Sequence, residues 1–240
     1  MKRKIKNLTK KALSSMGLHI TQNQRYDAWT RKLLKQVLRD DSNCIDIGCH
    51  RGEVLEDMLH LAPNGRHFAF EPLPGLYHEL KDRFGDRVDV QQTALSDDSG
   101  EIEFHHVVTN PAYSGIRRRT YAGAEEVSKI RVKQGRLDDA IPSDVKIDLI
   151  KIDVEGAEYQ VMLGARKTID TWKPVVVFEN GLGASDHYGT TPEMVFDFFA
   201  ECGMQINLLD RFVEKAPSLS REEFCKQFYE RLNYYFVASA

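Results

Sequence analysis

The chain has 240 residues, 33 Lys and Arg against 36 Asp and Glu, and 42% hydrophobic content, enough for one domain with a buried core. With 29% charged and 10% aromatic residues it is neither a disordered tail nor a fibrous chain. No run reaches the ~18 uninterrupted apolar residues of a membrane-spanning helix.

The net charge of −3 is unevenly spread. Residues 1–11 hold six Lys or Arg and no acid, leaving 27 bases against 36 acids, or −9, in the other 229. A body that acidic is a poor nucleic-acid binder, because phosphate binding needs a basic surface. The basic start lacks the apolar core and cleavage site of a signal peptide. It reads as a solvated tail, or alternatively as a weak contact with an anionic membrane surface or an acidic partner. Cys44, Cys49, Cys202 and Cys225 include no CxxC pair, which fits free thiols in a cytoplasmic setting and offers no zinc framework. Nothing in the sequence decides between a monomer and a homo-oligomer.

Along the chain, strands and helices alternate. Residues 22–39 place Tyr26, Trp29, Leu33, Leu34, Val37 and Leu38 at helical spacing. A short buried strand over 43–47 ends at Gly48, and a helix over 53–61 is stopped by Pro63-Asn64-Gly65. A strand at 67–70, a helix near 75–84 and a strand at 88–92 follow. Residues 101–107 alternate as a half-exposed strand that 130–132 can pair with, and 109–128 read as a loop. Then come strand 147–152, helix 157–169, strand 174–178, helix 192–202, and strands 205–208 and 234–237. This order predicts a mainly parallel, doubly wound α/β sheet covered on both faces. The domain is expected over 43–240, preceded by a basic tail and helix over 1–42.

Ligands of such sheets bind beyond the carboxyl ends of the strands. After the first strand, Asp46-Ile47-Gly48-Cys49-His50-Arg51-Gly52 has glycines that allow a sharp turn and close ligand approach, but not the GxGxxG spacing of dinucleotide folds. After the second strand, Glu71 stands where a carboxylate can accept both hydroxyls of a ribose. Together the two signals point to an adenosine-type ligand.

The stretches DIGCHRGE, FEP, TALSDDSGEIEF, KIDVEGAE and PVVVFEN resemble the FkbM family of S-adenosylmethionine-dependent methyltransferases, over roughly residues 43–210. The resemblance is most specific at 151–158. It implies a class I, Rossmann-like methyltransferase fold with a seven-stranded sheet and a small β insertion. It also implies O-methylation of a sugar, glycan or glycosylated natural product. Asp46, Gly48 and Gly52 would then border the methionine part of S-adenosylmethionine, Glu71 would take the ribose, Ala94 and Leu95 would lie beside the adenine, and Cys49 and Pro72 are further candidate cofactor contacts.

The remaining strand ends carry the chemistry. Asp153 ends the fourth helix-linked strand, and Glu179-Asn180 end the next. In one reading Asp153, Glu179 and Asn180 share Mg²⁺, which binds the acceptor hydroxyl and lowers its pKa, similar to the catechol O-methyltransferase pattern. In the other, Asp153 acts without metal as general base, or His187 in the following loop does. Loops 109–128 and 181–191 are candidate lids. Tyr113, Tyr121, Tyr188 and Arg117–Arg119 are candidate acceptor contacts, the arginines implying an anionic group on the acceptor. Two other classes stay open: a nicotinamide-dependent oxidoreductase or epimerase, and a catalytically silent adenosine-binding scaffold.

Overall fold

The computed structural model describes residues 21–118 and 125–240. The basic start, Arg119 and Tyr121 lie outside the described residues.

Helix α1 (Gln22–Val37) opens on a capping box, in which Thr21 and Gln24 satisfy each other's backbone N–H groups. Leu33 and Leu34 on its inner side are fully buried beside Cys44, Leu55 and Met58. The helix ends two residues before the expected 39, because Leu38 has already turned extended.

The sheet follows in chain order: β1 (Cys44–Ile47), α2 (Glu53–Leu61), β2 (His67–Phe70), α3 (Pro74–Phe84), β3 (Val88–Gln91). After an inserted segment come β7 (Leu149–Ile152), α5 (Glu158–Gly164), α6 (Arg166–Trp172), β8 (Val175–Glu179), α7 (Pro192–Glu201), β9 (Gln205–Leu208) and β10 (Tyr235–Ser239). The insertion holds β4 (Ala94–Leu95), β5 (Gly100–Val107), β6 (Val127–Gly135) and α4 (Leu137–Ala140). The large sheet has seven strands in the order β3-β2-β1-β7-β8-β10-β9. All neighbours are parallel except β10, which runs against β8 and β9.

Alternate residues of each central strand feed opposite cores, as the period of two requires. Ile45, Ile47, Phe68, Phe70, Ile150 and Ile152 face one layer, while Cys44, Ala69, Leu149 and Val177 face the other. The expected doubly wound, mostly parallel sheet is therefore present, with the class I methyltransferase strand order.

The 101–107 strand pairs with β6 as expected, from Gly100 opposite Gln134 to Val107 opposite Val127, and β4 joins them in a small second sheet. The loop after β5 is more ordered than its weak periodicity suggests. It makes a short turn at Pro111–Tyr113 and returns so that His105 and Gly115 exchange backbone hydrogen bonds of 2.9 and 3.1 Å.

The helix expected over 157–169 is two helices, broken at Ala165. Gly164 lies so close to the chain after β4 that a Cβ would stand 2.0 Å from the Ser96 carbonyl. Two short helices, α8 (Leu209–Val213) and α9 (Arg221–Tyr229), occupy the stretch that periodicity leaves unassigned. The second is announced by the Ser220–Glu223 capping box. No described helix is long and apolar enough to cross a membrane.

Candidate cofactor and acceptor cleft

The in-register pairing of Ile47 with Phe70 and Ile152 brings β1, β2 and β7 to an end at one level. Beyond them opens a cleft of about 700 Å³, also bordered by the end of β8, by α1 and by the insertion. It occupies the position at which open α/β sheets bind ligands.

Gly48 has φ +72°, and a Cβ on it would stand 1.9 Å from the Asp153 carbonyl oxygen. The glycine thus lets the turn after β1 lie directly against the chain leaving β7. Gly52 is different. It also has a positive φ, but a Cβ there would strike Leu80 and Phe84. It serves the packing of α2 on α3 and is absent from the cleft wall, a correction to its expected cofactor contact. Asp46, Gly48, Cys49, Glu71, Pro72, Ala94 and Leu95 do line the cleft.

Glu71 is 4% exposed. One carboxylate oxygen accepts the Leu73 N–H and the other the His50 N–H, each at 3.0 Å. The side chain therefore clamps the end of β2 to the glycine turn. Burial pushes its carboxyl up to about 7 against the pull of those two hydrogen bonds.

Across the cleft floor, Lys151 is buried with its ammonium 3.3 Å from Asp46 Oδ1 and 3.4 Å from Asp153 Oδ2. Burial alone would lower the lysine, but Asp46 and Asp153 hold it well above the ordinary range. Burial raises Asp46, with Lys151 opposing, and Asp46 Oδ2 is buried with no hydrogen-bond partner.

Neither Lys151 nor Glu158 was singled out from the sequence. The signal for the lysine was present. Asp46 and Lys151 each interrupt an otherwise apolar strand, at positions that pair in register. Glu158 is 3% exposed and accepts the N–H groups of Val154 at 3.0 Å and Gly156 at 3.1 Å through Oε1. It thereby fixes the loop carrying Asp153, in which Glu155 and Gly156 both have positive φ. Burial lifts Glu158 to about 7.

Asp153 and Glu179 both face the cleft. Burial, then the nearby Asp153, Glu155 and Glu158, push Glu179 well above the carboxylate range. Asn180 does not join them. Its N–H donates to the Tyr234 carbonyl at 2.8 Å, and its side chain is buried off the cleft wall with Nδ2 unpartnered. The expected Mg²⁺ ligand set therefore does not converge. Asp153 already faces the Lys151 ammonium, and among the described residues no group of three His, Cys, Asp or Glu is placed to hold a metal.

His187 sits in the turn Ser185–Tyr188 and is also absent from the wall. Its carbonyl accepts from Arg117 Nη1 at 2.6 Å, and the Arg117 guanidinium lies over the Tyr188 ring. That arginine ties two loops together rather than facing the cleft, which corrects its expected acceptor contact. Tyr113 does line the cleft. On the other side Tyr26 of α1 lines it, stacked on Tyr235 and edge-on to Tyr234, whereas Trp29 packs on the core.

The sheet has the class I methyltransferase fold, with the cleft at its ligand-binding edge. The model of the Methyltransferase FkbM domain matches residues 46–206, and the chain belongs to the FkbM methyltransferase family. It is 30% identical over 154 residues to the 2-O-methyltransferase NoeI of Sinorhizobium fredii strain NGR234, covering 58% of this chain and 63% of that protein. It is 27% identical over 165 residues to the antimetabolite synthetase AmbE of Pseudomonas aeruginosa, covering 53% of this chain and 8% of that protein. The chain thus spans less than two thirds of either relative. Among solved structures, the FkbM methyltransferase of Methylobacillus flagellatus KT has the same fold. The TM-score is 0.52 at 16% identity, over 85% of this chain and 44% of that one. This family membership removes the nicotinamide-dependent alternative.

Proposed function

We propose that the protein transfers the methyl group of S-adenosylmethionine to a hydroxyl of an uncharged sugar, glycan or glycosylated metabolite. The observation that carries the reading is Glu71, oriented by two backbone N–H groups at the end of β2 and facing the cleft. Its free lone pairs suit the two hydroxyls of a ribose. Leu73, Ala94, Leu95 and Phe104 on the same side give an apolar wall for the adenine.

The bound cofactor supplies an electrophilic methyl group on a sulfonium. The chain supplies the rest. Asp153 accepts the proton of the acceptor hydroxyl, and Glu179, holding its own proton, donates a hydrogen bond that orients the acceptor. Collinear placement of the acceptor oxygen then contributes through proximity.

An uncharged acceptor is favoured by the wall itself. Asp27, Glu53, Asp57, Asp153 and Glu155 line the cleft against Arg31 and Lys151. A phosphate or carboxylate on the acceptor would meet that excess of negative charge. NoeI, a 2-O-methyltransferase, agrees with attack by a hydroxyl oxygen. Four unpaired cysteines fit action in the cytoplasm.

The test is formation of S-adenosylhomocysteine from S-adenosylmethionine over a panel of neutral and phosphorylated oligosaccharides. Turnover on neutral members alone supports the proposal. Turnover only on phosphorylated members, or on amine acceptors, refutes it.

A further inference from the structure

Strand β7 reads Leu-Ile-Lys-Ile and is buried throughout, so Lys151 stands where an apolar side chain would be expected. Burying an ammonium is costly unless it is paired and hydrogen-bonded. Here its side chain is 7% exposed and has two partners, Asp46 Oδ1 at 3.3 Å and Asp153 Oδ2 at 3.4 Å. The two partners belong to different halves of the cleft. Asp46 lies in β1 one residue before its end at Ile47, on the side the proposed function gives to the donor, whereas Asp153 follows β7 near Glu179, on the side it gives to the acceptor.

Asp46 adds an independent observation. With Oδ1 committed to the lysine, its Oδ2 is fully buried and meets no hydrogen-bond donor at full geometry, the Leu55 N–H in the first turn of α2 being the backbone donor that acts on the carboxyl. An orphaned buried carboxylate oxygen costs stability unless something completes it. Here the Lys151 ammonium on Oδ1 is what holds the carboxyl group in place beneath the cleft. The trio sets two carboxyl groups against one ammonium, and the lysine fixes their separation.

We propose that Lys151 is a positioning residue for methyl transfer, whose buried ammonium bridges Asp46 and Asp153 and so couples the donor and acceptor halves of the cleft. It also takes the electrostatic place that a divalent cation among Asp153, Glu179 and Asn180 was expected to fill. The inference rests on the methyltransferase reading proposed above. A purely structural lysine would seal the strand pair and affect stability alone.

The experiment measures S-adenosylhomocysteine affinity by calorimetry and melting by circular dichroism on the full chain. The variants are Lys151→Met, Lys151→Arg, Asp46→Asn, Asp153→Asn and the doubles that combine Lys151→Met with each aspartate change. Measured well below its melt, Lys151→Met should weaken binding by about tenfold or more, and Lys151→Arg should recover most of that loss. Asp46→Asn should add less than about threefold on top of Lys151→Met, because removing the lysine has already released Asp46. Asp153→Asn should alter affinity by about threefold in the wild-type background and negligibly beside Lys151→Met, because its influence passes through the lysine. A chelator should leave every affinity unchanged.

Lower melting of Lys151→Met with unchanged affinity would overturn the proposal, as would single losses that multiply in the doubles. If Lys151→Met alone does not fold, its combination with Asp46→Asn removes the charge imbalance and is compared with Asp46→Asn and Lys151→Arg. In that comparison, a double that binds about tenfold or more weaker than Asp46→Asn overturns the proposal, as does wild-type affinity in both. A wild-type chain that does not bind the homocysteine compound removes the functional reading itself, and the proposal with it. Wild-type binding with an indifferent Lys151→Met removes the proposal alone.

Discussion

Glu71 makes the two demands on the cleft separable. In the ligand-free chain its burial raises the carboxyl from the usual 4.5 to about 7, so the folded state holds that proton more tightly than the unfolded chain. The sign follows: the stabilisation linked to Glu71 is fully present below about 4.5 and is lost as pH rises through about 7. Each tenfold step in proton affinity is worth about 1.4 kcal/mol, so between pH 5 and pH 8 the loss is roughly 2–3 kcal/mol. Glu71→Gln cannot ionise. Its amide opposes one of the two backbone N–H donors, but that penalty is the same at every pH. Urea melts of both chains at pH 5 and pH 8 should therefore differ, the variant gaining roughly 2–3 kcal/mol on the wild type at the higher pH. Glu158, also lifted to about 7, contributes equally to both chains and cancels. A stability difference that does not change with pH would refute the electrostatic account of Glu71.

Cofactor affinity should run the other way. Ribose hydroxyls donate to the ionised form, so S-adenosylhomocysteine should bind more tightly to the wild type as pH rises through about 7, and pH-independent binding would contradict this. Gly48→Ala, with its Cβ 1.9 Å from the Asp153 carbonyl and φ at +72°, should cost about 3 kcal/mol or more in a urea melt. A loss under about 1 kcal/mol would mean that the β1 and β7 ends are not in such contact. Asp153→Asn should lower methyl transfer about 100-fold or more while melting near the wild-type temperature, and full activity would remove it from the mechanism. His187→Ala should leave turnover within about twofold, because its ring is not on the cleft wall; a loss of the general-base size, about 100-fold, would restore it as a candidate base.

The sheet was legible because its strands are short apolar runs separated by glycine or proline turns, and periodicity fixes such elements well. The site residues at the ends of β1 and β2 were legible for the same reason: they follow a recognisable strand end. Asn180 and His187 were not separable from true cleft residues by spacing. Whether a side chain leaving β8 faces the cleft depends on how β10 pairs beside it, here through the Asn180 N–H donating to the Tyr234 carbonyl. Lys151 and Glu158 went unnoticed because their roles depend on partners distant in sequence or on loop N–H groups, and an isolated charge in a strand declares neither. Helix α8 is a five-residue turn too short for periodicity to reveal, whereas α9 carried a readable capping box.

The central claim, that the cleft past β1, β2 and β7 binds S-adenosylmethionine, is tested most directly by calorimetric titration of the purified chain with S-adenosylhomocysteine, with NAD⁺ as control and with and without Mg²⁺. The account predicts saturable binding of the homocysteine compound alone, independent of Mg²⁺ and weakened by Glu71→Ala through two charge-assisted hydrogen bonds of roughly 1.5–3 kcal/mol each. Binding of NAD⁺, or of neither compound, would contradict it.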